Sequence, residues 1–409
     1  MPAGCGAMMT GRRIKEVRQQ LSDYVEEFAG EFGRSERRHW CGKYLEGLLR
    51  EGERKSIEPL AKRVGGDDQA LQQFVNQSPW DHDAVMFRLR SLMRRRAIEG
   101  GVLVLDDTSL PKQGRHSAGV ARQYCGALGK IANCQSIVTW QWAGPRLHWP
   151  LTARLYLPAE WTEDPKRMDK AGVPPERQVF REKWRIALEL LDEIKPQLPA
   201  YQALVFDAGY GVILPLLAEL EKRGEPHVAQ VPGNIAAWPM EAVATVAQAK
   251  LGRPARHAKV QDPDMQPLTM TAWRDRLLRE PSAWKEVKLP RADGACVRAV
   301  ALRVQASQRK ELWRQPGAPR WLLIEELGDG TFKYHLSNLQ ADTSPEELVR
   351  LAHQRWAIEQ NYQQLKEELG LDHFEGRSWR GLHHHLTLCF LAFCFLARLR
   401  ASKKTLLAA

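Results

Sequence analysis

Residues 102–114 read VLVLDDTSLPKQG, and they mark the point where the chain changes from helical to strand periodicity. The first four of these residues are apolar, which is typical of a short buried strand, and we predict that this strand ends at Asp106. A second short apolar run, residues 203–206, ends at Asp207. Open α/β sheets carry their sites at the carboxyl ends of their strands, so both aspartates are predicted to lie at such a site.

The segments around these two strands predict the fold class. Residues 11–98 predict a string of helices, because apolar side chains recur at three- and four-residue spacing between glycine and proline breaks. Beyond the first strand, further strands are predicted at 134–142, 148–157 and 227–231, and helices at 178–195 and 213–223. This order is typical of an α/β fold, in which a mixed sheet is flanked by helices and follows an all-helical N-terminal domain.

The second half of the chain adds a β-rich insertion and two helices. Residues 321–336 predict a hairpin with a Gly-Asp-Gly turn, and a capping box at Ser344 with Gly370 as the stop predicts one helix over 345–369. The apolar run 386–397 predicts a buried helix that closes the core. The predicted divisions are the helical domain 1–98, the core 99–231 and 341–400, the insertion 232–340 and a basic tail 401–409.

The composition excludes several classes of protein. Of the 409 residues, 44% are apolar and 27% are charged, which is typical of a globular protein with a sizeable core. The run 386–397 is too short to span a bilayer, so we expect no membrane association. The N-terminus lacks an apolar segment after its first charges, and the seven cysteines form no CxxC pair. We therefore expect a cytoplasmic bacterial protein, associated with the nucleoid when bound, with neither a zinc site nor disulfides.

The charge distribution points to a polyanionic partner. The chain has 60 Lys and Arg against 49 Asp and Glu, and the formal net charge is +11. Residues 108–159 contain six basic side chains and no acidic one, and acidic residues are again absent after Glu375. A nucleic acid is the partner that such stretches favour, although each could also be a solvated basic face.

Four polar residues on the predicted helix 345–369 form one strip. Helical geometry places Arg355, Glu359, Tyr362 and Lys366 within about 60° of one another around the axis, beside the apolar stripe. The simpler interpretation is an ordinary i, i+4 ion pair between Arg355 and Glu359.

Three carboxylates have positions that the predicted elements define: Asp106 and Asp207 follow strands, and Glu359 lies on the helix 345–369. Carboxylate oxygens are ligands that Mg²⁺ prefers, and two such ions roughly 3.5–4 Å apart would stabilise an in-line displacement at a phosphodiester. Asp107 is the alternative first ligand, because only one of two neighbours on a strand can face the metals.

Three segments together resemble the acidic motifs of prokaryotic insertion-sequence transposases of the DDE superfamily: VLVLDDTSLPKQG, VFDAGYG and RWAIEQNYQQLKEELG. The catalytic domain of that family is RNase H-like, and one branch has a β insertion before the glutamate and a Y-x2-R-x3-E-x6-K signature. Arg355, Glu359 and Lys366 match this signature, whereas Ala352 stands at the tyrosine position and Tyr362 lies one helix face away. The family's Asp-x-Thr pattern favours Asp106 over Asp107.

The resemblance implies a cut-and-paste transposase that hydrolyses the transposon ends and transfers the 3′-hydroxyl into target DNA. Asp106, Asp207 and Glu359 would be the catalytic residues and would hold two Mg²⁺ ions, with Mn²⁺ as a substitute. The partners would be terminal inverted repeats and target DNA, bound by a homodimer, and the N-terminal domain would bind the DNA ends. The expected DNA-binding residues are Arg355, Lys366, Tyr362, Lys112, Arg115, Arg122 and Lys130.

Two other functions fit the same sequence. One is a transposase-derived DNA-binding protein that has lost catalysis, and the other is an RNase H-like, structure-selective nuclease that cuts without joining. Among the remaining features, Trp238 or Trp313 could stack on an unpaired base. Residues 383–385, a run of three histidines, predict a polar helix start or a DNA-facing cluster rather than a metal site.

Overall fold

The N-terminal part is helical, as the sequence predicts. The computed structural model describes residues 11–96, 100–145, 147–245, 259–289, 294–307 and 315–407. Asp67 and Asp81 begin two of the helices, because their carboxylates accept hydrogen bonds from the free N–H groups of the first turn. The helices are α1 (Gly11–Glu26), α2 (Ala29–Phe32), α3 (Ser35–Leu49), α4 (Ile57–Val64), α5 (Asp68–Asn76) and α6 (His82–Arg94).

A mixed sheet follows, and its topology is RNase H-like. The strands β1, β3 and β4 form an antiparallel meander, and β5 and β6 run parallel to β1, in the spatial order β4-β3-β1-β5-β6. The predicted fold class is therefore confirmed. The elements are β1 (Val102–Pro111), β2 (Ala121–Cys125), β3 (Lys130–Ala143), β4 (His148–Leu155), α7 (Ala159–Thr162), α8 (Pro165–Ala171), α9 (Lys183–Ile194), β5 (Leu204–Phe206), α10 (Ala208–Gly211), α11 (Leu214–Lys222) and β6 (His227–Val231).

The β-rich segment after β6 continues the same sheet. Its last strand, β14, pairs antiparallel with β6, and β13 and β12 follow in order. A separate apolar cluster, which includes Met270, Trp273 and Ile324, packs on this part of the sheet. The elements are β7 (Ala236–Trp238), β8 (Ala244–Thr245), β9 (Lys259–Val260), β10 (Leu268–Thr269), α12 (Met270–Leu277), β11 (Lys285–Lys288), β12 (Cys296–Ser307), β13 (Pro316–Glu326) and β14 (Phe332–Ser337).

The prediction of one helix over 345–369 is wrong. The segment forms α13 (Pro345–His353), α14 (Trp356–Gln363) and a π-helical turn (Gln364–Glu368). Between α13 and α14, the N–H groups of Gln354 and Arg355 bond carbonyls only three residues back, which breaks the helical ladder.

The last helix, α15 (Trp379–Leu407), is the predicted buried helix. Its stretch Trp379–Ala401 is long and apolar enough to cross a membrane by length and composition, but 78% of the apolar window lies buried in the protein. The helix packs against α3, α5, α6 and β4, as a core helix does.

The three histidines of α15 are buried, so the prediction of a DNA-facing cluster is wrong. The two ring nitrogens of His384 lie 2.8 and 2.9 Å from the carbonyl oxygens of Val75 and Trp80, and the one that carries the proton donates to its carbonyl. His385 bonds the Tyr44 hydroxyl at 2.8 Å. Burial lowers the pKa of His384 to about 3, which keeps its ring neutral. These rings attach α15 to the N-terminal helices.

Candidate active site

Asp106 and Asp207 lie side by side on adjacent strands. Leu105 of β1 pairs with Phe206 of β5 in a parallel register, so the next residue of each strand is an aspartate on the same face. The prediction that β1 ends at Asp106 is wrong, because β3 continues to pair with it as far as Pro111. Asp106 lies instead where the pairing with β5 stops, since β5 ends at Phe206.

The turn after β5 fixes Asp207. Its carboxylate caps the short helix α10, with Oδ1 accepting a hydrogen bond from the Tyr210 N–H at 3.2 Å. Gly211 lets this turn approach β6, because a Cβ at that position would lie 1.9 Å from the Gln230 carbonyl oxygen. The Gly-Tyr-Gly sequence after Asp207 therefore holds that carboxylate at the edge of the sheet.

The Asp106 carboxylate is in an unusual electrostatic environment. Its side chain is 15% exposed. Burial and the neighbouring Asp207 carboxylate raise the pKa of Asp106 to about 7, although Arg355 opposes this rise. Two carboxylates that repel each other in a partly dry site favour a bound cation.

Arg355 supplies a positive charge between Asp106 and Glu359. Its Nη1 lies 3.7 Å from Asp106 Oδ2, and its Nη2 donates to Glu359 Oε1 at 2.7 Å. Glu359 itself is 54% exposed. The guanidinium thus links two of the three predicted carboxylates, Asp106 and Glu359. Within the described ranges no three His, Cys, Asp or Glu side chains are grouped so as to hold a metal ion.

The donor set fits a hard divalent cation. Mg²⁺ takes one or two carboxylates and completes its shell with water and phosphate oxygens, which matches the pair Asp106 and Asp207. Glu359 would join that pair once its carboxylate leaves Arg355. The residues present therefore fit the predicted metal, with two ligands adjacent and the third held by an arginine.

Asp107 faces away from this site. Its carboxylate pairs with Lys183 and accepts a hydrogen bond from the Ser136 hydroxyl at 2.9 Å. Neighbouring strand residues point to opposite faces, so Asp106 shares the face of Asp207 and Asp107 does not.

The other residues of the predicted polar strip contact β1 and β3. Lys366 is half-buried and its Nζ donates to the Ser109 carbonyl at 3.2 Å. Tyr362 is buried and its hydroxyl hydrogen-bonds that of Thr139, which lies opposite Asp106. The structure thus places Tyr362 beneath the surface, where it supports α14. Ala352, at the tyrosine position of the signature, is also buried.

The predicted DNA contacts outside α14 and the π-helical turn differ in accessibility. Lys112 is half-buried and donates to the Phe374 carbonyl, and burial lowers its pKa to about 8. Its ammonium group therefore holds the segment before α15. Arg115, Arg122 and Lys130 are exposed, and the last two lie on the β2–β3 hairpin.

Sequence reasoning missed a buried glutamate beside this site. Glu325 of β13 accepts hydrogen bonds from His335 Nε2 at 2.9 Å and His353 Nε2 at 2.7 Å. All three line a cleft with Arg355 and Glu359. Since His353 ends α13 two residues before Arg355, Glu325 ties the insertion to the helix break that positions Arg355. No sequence signal identifies this group, because its members lie on β13, β14 and α13 and come together only in the folded protein.

We predict that Glu325→Gln lowers the free energy of unfolding near neutral pH by roughly 1–3 kcal/mol, because buried hydrogen bonds to a charged acceptor are weakened. Burial alone would raise the pKa of Glu325, but the two histidines outweigh it and lower the pKa to about 2. Because the folded-state pKa lies below the unfolded value of 4.5, the ionised Glu325 carboxylate stabilises the folded protein at pH values above 4.5. This stabilisation is lost as the pH falls towards 2. Thermal unfolding over this range should therefore show the difference between variant and wild type shrinking in acid.

The matched control is Glu326→Gln on the opposite face of β13. Glu326 pairs with Arg298 of β12 in a partly exposed ion pair, which is worth about 0–1 kcal/mol. Equal destabilisation by both substitutions would contradict the role assigned to Glu325.

The chain is similar to known proteins. Residues 27–313 match the family described as DDE superfamily endonuclease. Over 172 residues, the chain is 30% identical to a probable transposase for the insertion sequence element IS701 of Microchaete diplosiphon, a match that covers 41% of this chain and 42% of the relative. The chain thus spans less than half the length of that relative.

A solved structure is also similar. It is the cryo-EM structure of the piggyBac transposase synaptic complex with hairpin DNA, with a TM-score of 0.39 and 12% sequence identity over 95% of this chain and 74% of that chain.

Proposed function

Since this chain belongs to the DDE superfamily endonucleases, we propose that it is the transposase of an insertion sequence, which cuts its element from DNA and joins it to a target. The observation that carries the proposal is the register of β1 and β5, which sets Asp106 beside Asp207, with Glu359 linked to Asp106 through Arg355. The similarity to a probable IS701 transposase supports an insertion-sequence role over a general nuclease role.

The proposed cofactor is a pair of Mg²⁺ ions, for which Mn²⁺ would substitute, held by Asp106, Asp207 and Glu359. When bound, these ions would supply Lewis acidity at the phosphate and a reactive water at neutral pH. Asp106 must lose its proton to act as a ligand, so its raised pKa predicts that metal affinity increases as the pH rises through about 7.

The side chains around the carboxylates would hold the DNA. With Asp106 and Glu359 as metal ligands, the Arg355 guanidinium would be available to bind a phosphate in a bidentate manner. Lys366, whose Nζ contacts Ser109 of β1, would bind a phosphate through its ammonium group. The proposed substrates are the element's terminal inverted repeats and target DNA, held by a homodimer, with the N-terminal helices on the ends. A cytoplasmic protein associated with the nucleoid accords with such substrates.

We predict that Lys366→Ala weakens binding to all DNA sequences alike and reduces the slope of log K against log salt by about 1, because one phosphate contact and its released counterion are lost. Binding isotherms for two unrelated duplexes over a salt series measure this slope. A slope equal to that of the wild type would contradict a phosphate contact by Lys366.

The experiment that tests the proposed function uses the full chain, Mg²⁺ and a supercoiled plasmid that carries the coding region with the DNA that flanks it on each side. We expect cuts at two fixed positions that bracket the coding region, followed by joining of the 3′ ends to a second plasmid. Cutting without joining would favour the structure-selective nuclease. DNA binding without cutting would favour the inactive DNA-binding protein, and either result would overturn the proposal.

A further inference from the structure

The hairpin formed by β2 and β3 ends in exposed apolar side chains. Tyr124 and Ile131 are 67% and 61% exposed, the highest fractions among the large apolar side chains of the described residues. Leu128, in the turn between the two strands, is 48% exposed. Neighbouring apolar side chains that remain in water mark a surface that a partner covers.

The backbone presents these side chains together. Tyr124 and Ile131 are directly opposite each other in the antiparallel register, so they share one face of the hairpin. In the turn, the Leu128 N–H bonds the Cys125 carbonyl at 2.9 Å, and Gly129 takes the left-handed conformation with φ 63°. The tip is therefore formed before any partner binds.

The positive charge around the tip indicates which kind of partner covers it. Arg122 and Lys130 are exposed, and neither forms a salt bridge with any carboxylate of the described residues. The hairpin belongs to the stretch 108–159, which contains no acidic residue. Apolar side chains flanked by arginine and lysine are the arrangement with which proteins enter the minor groove of DNA and wedge between base steps.

The same strand connects the tip to the candidate active site. Thr139, which pairs with Asp106, follows Ile131 by eight residues of β3. At about 3.3 Å per strand residue the separation is roughly 26 Å. This distance corresponds to about eight nucleotides along one DNA strand, at roughly 3.4 Å for each phosphate.

We propose that the β2–β3 tip docks on duplex DNA, with Tyr124, Leu128 and Ile131 in the minor groove and Arg122 and Lys130 on the flanking phosphates. The proposal rests on the proposed function, because the bound duplex is the substrate of that function. It adds an apolar contact that bends the DNA about eight nucleotides from the carboxylates.

The test measures binding of the full chain to a duplex from the flanks of the coding region, over a salt series, with dyes on the duplex ends to report bending. For the double variant Tyr124→Ala/Ile131→Ala we expect about tenfold weaker binding, less bending and an unchanged salt slope, because the lost contact is apolar. Arg122→Ala should instead reduce the slope by about 1. The control is Phe180→Ala, an aromatic side chain that is 43% exposed outside the hairpin, and it should leave binding and bending unchanged.

Two results would overturn the hairpin's role without affecting the proposed function. One is unchanged affinity and bending in the double variant while the wild type binds and cuts. The other is a DNA-free dimer in sedimentation that the double variant converts to monomer, since the tip would then bind a second copy of the chain. A wild-type protein that neither binds nor cuts DNA would overturn the proposed function as well.

Discussion

Asp207→Asn and Glu359→Gln should each reduce Mg²⁺-dependent DNA cutting by at least about 100-fold, since even residues that only support metal ligands cost 10–100-fold when replaced. Each amide keeps the shape of the carboxylate and removes the negative charge that would hold the metal. The fold should survive, because asparagine also caps a helix and can replace Asp207 at the start of α10. DNA binding should be retained, because neither change removes a positive charge.

The controls for this prediction are carboxylates that lie close to the site but do not belong to it. Asp107→Asn should retain cutting, because Asp107 pairs with Lys183 on the opposite face of β1. Glu367→Gln should also retain it, because Glu367 lies on the π-helical turn and is bonded by Gln363. Full cutting by the Asp207 and Glu359 variants, or loss of cutting only with Asp107→Asn, would remove the assigned ligands.

Asp106→Asn should make the metal-free protein more stable above neutral pH while abolishing cutting. The folded-state pKa of about 7 lies above the usual value of 3.8, so the folded protein binds more protons between these values and loses stability as the pH rises through them. Asparagine cannot ionise, so the variant does not lose stability in this way as the pH rises. The expected gain at about pH 8 is on the order of 1–4 kcal/mol, and it should shrink as the pH falls towards about 4.

Thermal unfolding in a chelator, followed across this pH range, measures the effect. Adding Mg²⁺ should then stabilise the wild type by binding to its folded state, and should stabilise the variant much less. Two results would contradict a destabilising, metal-binding carboxylate at Asp106. One is a variant that is less stable than the wild type at every pH, and the other is an equal gain in thermal stability on adding Mg²⁺ to the two proteins.

Apolar periodicity was sufficient to predict the elements that are buried on both faces. The run before Asp207 and the strand at 227–231 are observed as β5 and β6, and their parallel register follows from the α/β order. The continuation of β1 through Asp106 could not be predicted in this way. Those residues alternate between buried and partly exposed, and they are extended because β3 pairs with them, which is a long-range contact.

The break in the helix before Arg355 also has no local signal. No glycine or proline interrupts the sequence from 346 to 369, and the apolar spacing continues through it. The two halves are instead held by different parts of the molecule, since His353 bonds Glu325 and Asn361 bonds Gln141 of β3 at 2.9 Å. Such anchors are known only once the sheet is assembled.

Individual polar side chains were the least predictable part of the candidate site. Tyr362 was expected to contact DNA, but its ring fills the space beneath α14 and its hydroxyl has a partner in Thr139. Of the two tryptophans that could stack on a base, Trp238 is instead buried in β7, and Trp313 lies outside the described residues. An aromatic or basic residue type does not say which neighbouring element will cover it.

We propose that Asp106, Asp207 and Glu359 hold the catalytic metal ions, and anomalous diffraction from crystals grown with Mn²⁺ and a DNA end would locate those ions. We expect anomalous density within about 2.0–2.3 Å of carboxylate oxygens of Asp106 and Asp207, with Glu359 turned to the metal and Arg355 turned to a phosphate. Metal density away from these carboxylates, with the Arg355 bridge between Asp106 and Glu359 intact in the DNA complex, would contradict the claim.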